Sequence, residues 1–101
     1  MEHEFEKPKM VGYTIYSKSG CPNCTKIKKY LTDVNAPISI VDCDEYLIEN
    51  KDEFLNFIET IAEKSVRVFP MVFFERKFIG GYEDTEYHHN RLNAFSNNVF
   101  F

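Results

Sequence analysis

The chain has 101 residues, 44% of them hydrophobic and 28% charged, with a formal net charge of −4. That is enough for one compact domain and too little for two, and the balance suits an ordinary globule. The negative charge leaves no general nucleic-acid footprint, and no apolar run approaches the ~20 residues of a membrane helix, so neither nucleic acid nor membrane is an expected partner.

Residues 1–10 read as a loose N-terminal extension and residues 11–101 as a single domain. Met1 to Lys9 is polar, with neither an apolar signal core nor an arginine-rich transit pattern, so the expected compartment is the cytoplasm. Val11 to Tyr16 then reads as a buried strand, β-branched and aromatic throughout. It leads through Ser17-Lys18-Ser19-Gly20 into Cys21-Pro22-Asn23-Cys24. In a reducing compartment this cysteine spacing is redox-active or metal-binding more often than a structural disulfide.

Proline fits the first position of a helix, where its missing N–H costs nothing. Cys21 is therefore expected at the helix N-cap, near the unpaired N–H groups and the positive end of the macrodipole. That placement favours the thiolate, the nucleophile of disulfide exchange. Cys24 follows almost one turn later on the same face, close enough to attack a mixed disulfide formed at Cys21. The helix should run from Pro22 to about Val34, with Cys24, Ile27, Leu31 and Val34 as its buried stripe.

Asn35-Ala36-Pro37 breaks that helix, and Ile38 to Asp42 is a second short strand, which completes a βαβ unit. Cys43 ends this strand and reads as a small packed hydrophobe rather than a regulatory thiol. Leu47, Phe54, Leu55, Ile58, Ile61 and Ala62 outline one second helix. Met71 to Phe74 and Lys77 to Ile79 flank Glu75-Arg76, the length of a two-residue hairpin without its preferred Asn-Gly chemistry. A last helix is expected from about Asp84 to Asn97, with Tyr87, His88, Leu92 and Phe95 inward and His89 on another face. The order is β-α-β-α-β-β-α, an α/β sandwich around a four-stranded mixed sheet flanked by three helices.

Three further features bear on the dithiol. Lys18, three residues before Cys21, reads either as a solvated lysine or as a cation that favours the thiolate and an anionic substrate. Arg67-Val68-Phe69-Pro70 precedes the third strand, where proline can occupy only an end or edge. By itself Phe69-Pro70 is expected trans, the common form of such bonds. Gly80-Gly81-Tyr82-Glu83-Asp84-Thr85 reads as a turn with Asp84 or Thr85 as helix cap. A helix N-terminus behind glycines is also a ready carboxylate site. A zinc site would need the three cysteines and His88 or His89 to converge, so no metal is expected.

Together these segments resemble the dithiol glutaredoxins, over nearly the whole chain from Val11 to Phe95. The family's motifs stand here as Lys18-Ser19-Gly20-Cys21-Pro22-Asn23-Cys24, Val68-Phe69-Pro70 and Gly80-Gly81-Tyr82-Glu83-Asp84, in the family's order and spacing. The resemblance implies a thioredoxin-like fold with Pro70 in cis beside Cys21, and a glutathione groove. In it, the Phe69 backbone would pair with the cysteinyl part of glutathione, and Lys18 and Arg67 would hold its glycyl carboxylate. Gly81, Glu83 and Asp84 would receive the γ-glutamyl end. Asn23 stands where the family has an aromatic residue, which leaves one groove wall more open. Val68 replaces a threonine and Phe69 a valine.

What the resemblance implies is a glutathione-dependent thiol–disulfide oxidoreductase with Cys21 and Cys24 as catalytic residues. Glutathione would be the reducing co-substrate. Glutathionylated or disulfide-bonded proteins, ribonucleotide reductase among them, would be the partners of a monomer. Two alternatives come with it. One is a ribonucleotide reductase hydrogen donor recharged by thioredoxin reductase, which would leave Lys18, Arg67 and Asp84 without a clear purpose. The other is an iron–sulfur cluster carrier, which Pro22 and Cys24 argue against.

Overall fold

The computed structural model describes residues 4–98, with side chains through residue 94. In chain order it contains β1 (Tyr13–Ser17), α1 (Pro22–Asp33), β2 (Ile38–Asp42), α2 (Asp44–Glu49), α3 (Lys51–Ala62), β3 (Met71–Phe74), β4 (Lys77–Gly80) and α4 (Tyr82–Asn98). The strands form one sheet in the order β2-β1-β3-β4, with β1 parallel to β2 and the other neighbours antiparallel. Parallel β1 and β2 need a crossover, and α1 supplies it.

β1 is buried along its whole length, and its residues alternate between two cores. Tyr13 and Ile15 join Val72 against Ile27 and Leu31 of α1. Tyr16 joins Met71 and Phe73 against Phe54, Leu55 and Ile58 of α3. This is the period of two expected where both faces of a strand are covered. Fully burying each such side chain contributes roughly 1.5–3 kcal/mol before the cost of ordering it.

Several boundaries differ from expectation. Gly12 takes a left-handed φ of 77° and turns the chain before the sheet begins, so Val11 stays exposed. Val34 falls at the C-cap of α1 and is exposed instead of completing the stripe. The expected second helix is two helices, so four flank the sheet rather than three. The break is Asn50, at φ −143° and ψ 47°. It ends α2 with its N–H on the Tyr46 carbonyl and opens α3 with its own carbonyl on the Phe54 N–H. Asparagine disfavours helix interiors and suits such junctions.

The largest correction concerns α4. It begins at Tyr82, so Asp84 lies in the first turn and is not the cap. Its inward residues are Thr85 and His89, with His88 half-buried, whereas Tyr87 and Leu92 are exposed. Phe95, also expected inward, lies outside the described side chains. The buried face is polar and satisfied. The Tyr13 hydroxyl and His88 Nδ1 are 2.8 Å apart, and the Tyr30 hydroxyl and His89 Nδ1 are 3.4 Å apart. Hydrophobic periodicity cannot see such a face. Burial, with His89 and Lys77 nearby, holds His88 below the usual histidine range.

Residues 4–10 form no helix or strand, and several of them contact the domain. The Phe5 ring packs edge-on against Tyr46 and Phe54, and Pro8 is buried. The Tyr16 hydroxyl donates to the Glu6 carbonyl, and the Lys9 N–H donates to Thr14 Oγ1 at 2.9 Å.

The β3–β4 hairpin turns on Glu75 (φ 50°) and Arg76 (φ 74°), both left-handed, which is the type I′ pattern. Side chains with a Cβ are strained there by roughly 1–2 kcal/mol per residue. Replacing the pair, Glu75→Asn with Arg76→Gly, is expected to raise stability by about 1 kcal/mol or more. A denaturant midpoint that rises with unchanged slope would show it, and an unchanged or lower midpoint would contradict it.

Candidate active site

The end of β1 delivers Ser17 to Gly20 as a short loop, and α1 begins immediately after Cys21. Cys21 is the N-cap, at φ −118° and ψ 99°, and Pro22 occupies the first helical turn. The Cys21 sulfur accepts the Cys24 N–H at 3.2 Å. This is one of the helix's orphan donors, spent on the sulfur where negative charge would sit. The Cα atoms of Cys21 and Cys24 are 5.2 Å apart and their sulfurs are at disulfide distance. Cys21 is half-buried, while Cys24 is 1% exposed, so an incoming sulfur meets Cys21 first.

Beside Cys21 lies an open cleft of about 510 Å³ lined by Lys18, Pro22, Asn23, Arg67, Val68 and Phe69. Arg67 and Val68 also line a second cleft, of about 290 Å³, with Pro70, Gly80, Gly81 and Asp84. The two clefts share Arg67 and Val68, both exposed, and adjoin one another between the dithiol and the start of α4. Lys18, Asn23, Arg67 and Phe69 are thus gathered at the cysteine end, and Pro70, Gly81 and Asp84 at the far end. Glu83 is exposed in the first turn of α4 and lines neither cleft.

The Phe69-Pro70 bond is cis, which overturns the trans expectation from the residues alone and agrees with the resemblance. Phe69 is nearly buried, its ring stacked on that of Phe54 at 6.5 Å and 12°. Lys18 Nζ lies 5.5 Å from the centre of the same Phe69 ring. This cation–π contact directs Lys18 toward the cleft, so it is not simply solvated. Among the described residues neither Lys18 nor Arg67 forms an ion pair, and both charges remain available to an anion.

At the far end the carboxylate of Asp84 folds back over Gly80. Gly80 has φ 138°, and a Cβ there would collide with the Asp84 carboxylate. Gly81 sits at the helix entrance, its carbonyl accepting the Thr85 N–H at 3.1 Å and the Thr85 hydroxyl at 2.7 Å. The glycine pair therefore lets a carboxylate and a helix N-terminus approach the same spot.

Asp44 is the residue the sequence reading missed. The Ser19 N–H donates to Asp44 Oδ1 at 2.8 Å, and the Ser19 hydroxyl donates to Oδ2. These bonds, with Lys18 and Lys28 nearby, hold the Asp44 carboxyl below its usual range. They tie the loop before Cys21 to the start of α2. The available signal was topological. Parallel β1 and β2 end on one edge, with Ser17 opposite Asp42, so the loops that follow them must be neighbours. Cys43, at the same edge, is fully buried. Burial pushes its thiol up to about 12, as expected of a packed hydrophobe.

A family model described as glutaredoxin matches residues 13–79. Glutaredoxin-2 of Schizosaccharomyces pombe is 35% identical over 71 residues, which cover 70% of this chain and 61% of that protein. The chain thus spans less than two thirds of that relative's length. The crystal structure of glutaredoxin 1 from Francisella tularensis complexed with cacodylate aligns at a TM-score of 0.70 and 19% identity, over 81% of this chain and 95% of that one. A buckwheat glutaredoxin–glutathione complex aligns at 0.65 and 23% identity, over 78% of this chain and 68% of that one. With the sheet order, the capped cysteine and the family match in agreement, the chain belongs to the glutaredoxin family of the thioredoxin-like superfamily.

Proposed function

We propose that the protein uses glutathione to reduce protein–glutathione mixed disulfides and protein disulfides. The observation that carries this reading is the pair of adjoining clefts. One places Lys18 and Arg67, neither in an ion pair among the described residues, beside the exposed side of Cys21, and the other lies at a glycine-flanked helix N-terminus with a carboxylate beside it. Glutathione has a thiol in its middle, a glycyl carboxylate at one end, and an ammonium and carboxylate at the other. Lys18 and Arg67 would hold the glycyl carboxylate, the Phe69 backbone the cysteinyl part, and Gly81 and Asp84 the γ-glutamyl end. The buckwheat relative's complex with glutathione supports the assignment.

In the first step the Cys21 thiolate attacks the glutathione sulfur of a glutathionylated substrate. A Cys21–glutathione disulfide forms, the old disulfide breaks, and the substrate thiolate leaves. A second glutathione thiolate then attacks the glutathione sulfur on Cys21. Glutathione disulfide departs and the Cys21 thiolate returns. With a protein disulfide, Cys21 forms the mixed disulfide and Cys24 resolves it, which leaves Cys21–Cys24 oxidised until glutathione reduces it.

The test is a coupled assay with glutathione, glutathione reductase, NADPH and a small glutathionylated probe. Turnover is expected, and its absence while thioredoxin reductase sustains activity would refute glutathione as the reductant. Within that assay, Lys18→Ala and Arg67→Ala are each expected to raise KM about fivefold, the worth of one exposed charge contact. Salt should weaken the wild type more than either variant. Asp84→Asn keeps a polar side chain in the first turn of α4 and removes the charge. It should weaken the same substrate while leaving melting nearly unchanged, since a charge there contributes only ~0.3–1 kcal/mol to the helix. A large melting loss with normal kinetics would make Asp84 a structural residue.

A further inference from the structure

The aromatic cluster under the cleft does not end at the family-matched region. It continues into residues 4–10, ahead of the matched residues 13–79. The Phe5 ring centre lies 4.9 Å from Tyr46, 5.5 Å from Phe54 and 5.4 Å from Phe57. Two of these neighbours lead to the active site by separate routes. Phe54 is fully buried and stacks on Phe69, whose ring carries Lys18 on its way to the cleft. Tyr46 belongs to α2, whose first residue, Asp44, holds both Ser19 donors two residues before Cys21.

The segment is also fastened beside this contact, at Glu6. The Glu6 N–H donates to the Tyr46 hydroxyl at 3.2 Å, and the Tyr16 hydroxyl donates to the Glu6 carbonyl. Tyr16 is the residue before Ser17, where β1 gives way to the active-site loop. Two of the segments that present cleft residues beside Cys21, the loop after β1 and the wall at Phe69, therefore rest on groups that touch this N-terminal strap.

We propose that the N-terminal strap is a positioning element of the active site, with Phe5 as its key. Phe5 sets the Phe69 wall through Phe54 and the Ser17–Gly20 loop through Tyr46 and Asp44. Protein interiors are close-packed, so deleting a ring leaves a gap that its neighbours fill only partly, and Phe54 and Tyr46 shift toward it. Phe5 touches no reacting atom and acts through those two side chains. The kinetic part of the proposal rests on the glutathione reading above. The structural part does not.

The experiment compares full-length wild type, Phe5→Ala, Phe5→Leu, Tyr16→Phe and Ile38→Ala. Ile38 is half-buried against the core on the other face of the sheet and serves as a destabilised control. With the glutathionylated probe, Phe5→Ala should raise KM about fivefold and leave kcat within about twofold, the pattern of lost substrate positioning. Amide hydrogen exchange should speed up in residues 17–24 and 67–74 beyond any uniform change. Phe5→Leu should recover most of both effects, and Tyr16→Phe, which only unfastens the strap, should reproduce them in weaker form. Should Phe5→Ala fail to fold, Tyr16→Phe decides on the same readouts. Wild-type KM with wild-type exchange in both segments would overturn the proposal. So would an equal KM rise in Ile38→Ala, or exchange that rises uniformly along the chain. If wild type fails to turn over the probe, the glutathione reading fails, and the exchange arm still decides the strap.

Discussion

Cys21→Ser is expected to abolish every thiol–disulfide exchange, whereas Cys24→Ser should keep the reduction of small glutathione mixed disulfides and lose most reduction of protein disulfides. The asymmetry follows from position. Cys21 opens α1, is half-exposed at the first cleft, and takes the Cys24 N–H on its sulfur. Serine at that position has an alkoxide far too basic to form near neutral pH, so no nucleophile remains. Cys24 is 1% exposed and reaches only the Cys21 sulfur, which it attacks once a mixed disulfide has formed there. Its loss removes the intramolecular resolving step and leaves the route in which a second glutathione resolves. Stopped assays with a glutathionylated peptide and with a protein disulfide separate the two. If Cys24→Ser were as inactive as Cys21→Ser on the peptide, the single-thiol route would be wrong.

The largest stability loss is expected at Phe54. It is fully buried and its ring meets those of Phe5, Tyr16, Tyr46, Phe57 and Phe69. Phe54→Ala should cost about 3–5 kcal/mol, the transfer of the ring plus the cavity it leaves. In a chain of this size that lowers the melting temperature by more than about 12 °C. Because Phe54 backs the Phe69 wall, residual activity measured well below melting should also show a raised KM. A loss under about 1 kcal/mol in calorimetry would mean that the aromatic cluster collapses freely around the gap.

Much of the frame was legible because burial writes itself in apolar spacing. β2 and β3 run Ile38–Asp42 and Met71–Phe74 as read from the chain, and Cys21 caps α1 as its neighbour Pro22 implied. The cis bond before Pro70 was legible only through resemblance, since the residues alone favour trans. The inward face of α4 was misread because its buried groups are His89 and Thr85, which burial favours only once Tyr30 and the Gly81 carbonyl are there to bond them. Asp44 and Ser19 stand 25 positions apart, and no local pattern announces a hydrogen bond between a loop and the first residue of a distant helix. Phe5 sits in a polar stretch without periodicity, and a single ring carries no pattern.

The sealed third cysteine gives the protein a built-in gauge of its own opening. Cys43 has no exposed surface and its thiol is pushed up to about 12, so in the closed chain it offers a reagent neither access nor appreciable thiolate. Once Cys21 and Cys24 are joined, it is the chain's one remaining thiol. Its labelling by an excess of alkylating agent then counts excursions from the folded state. The rate of mass gain reads the unfolding equilibrium under native conditions, without denaturant, dye or an added probe residue.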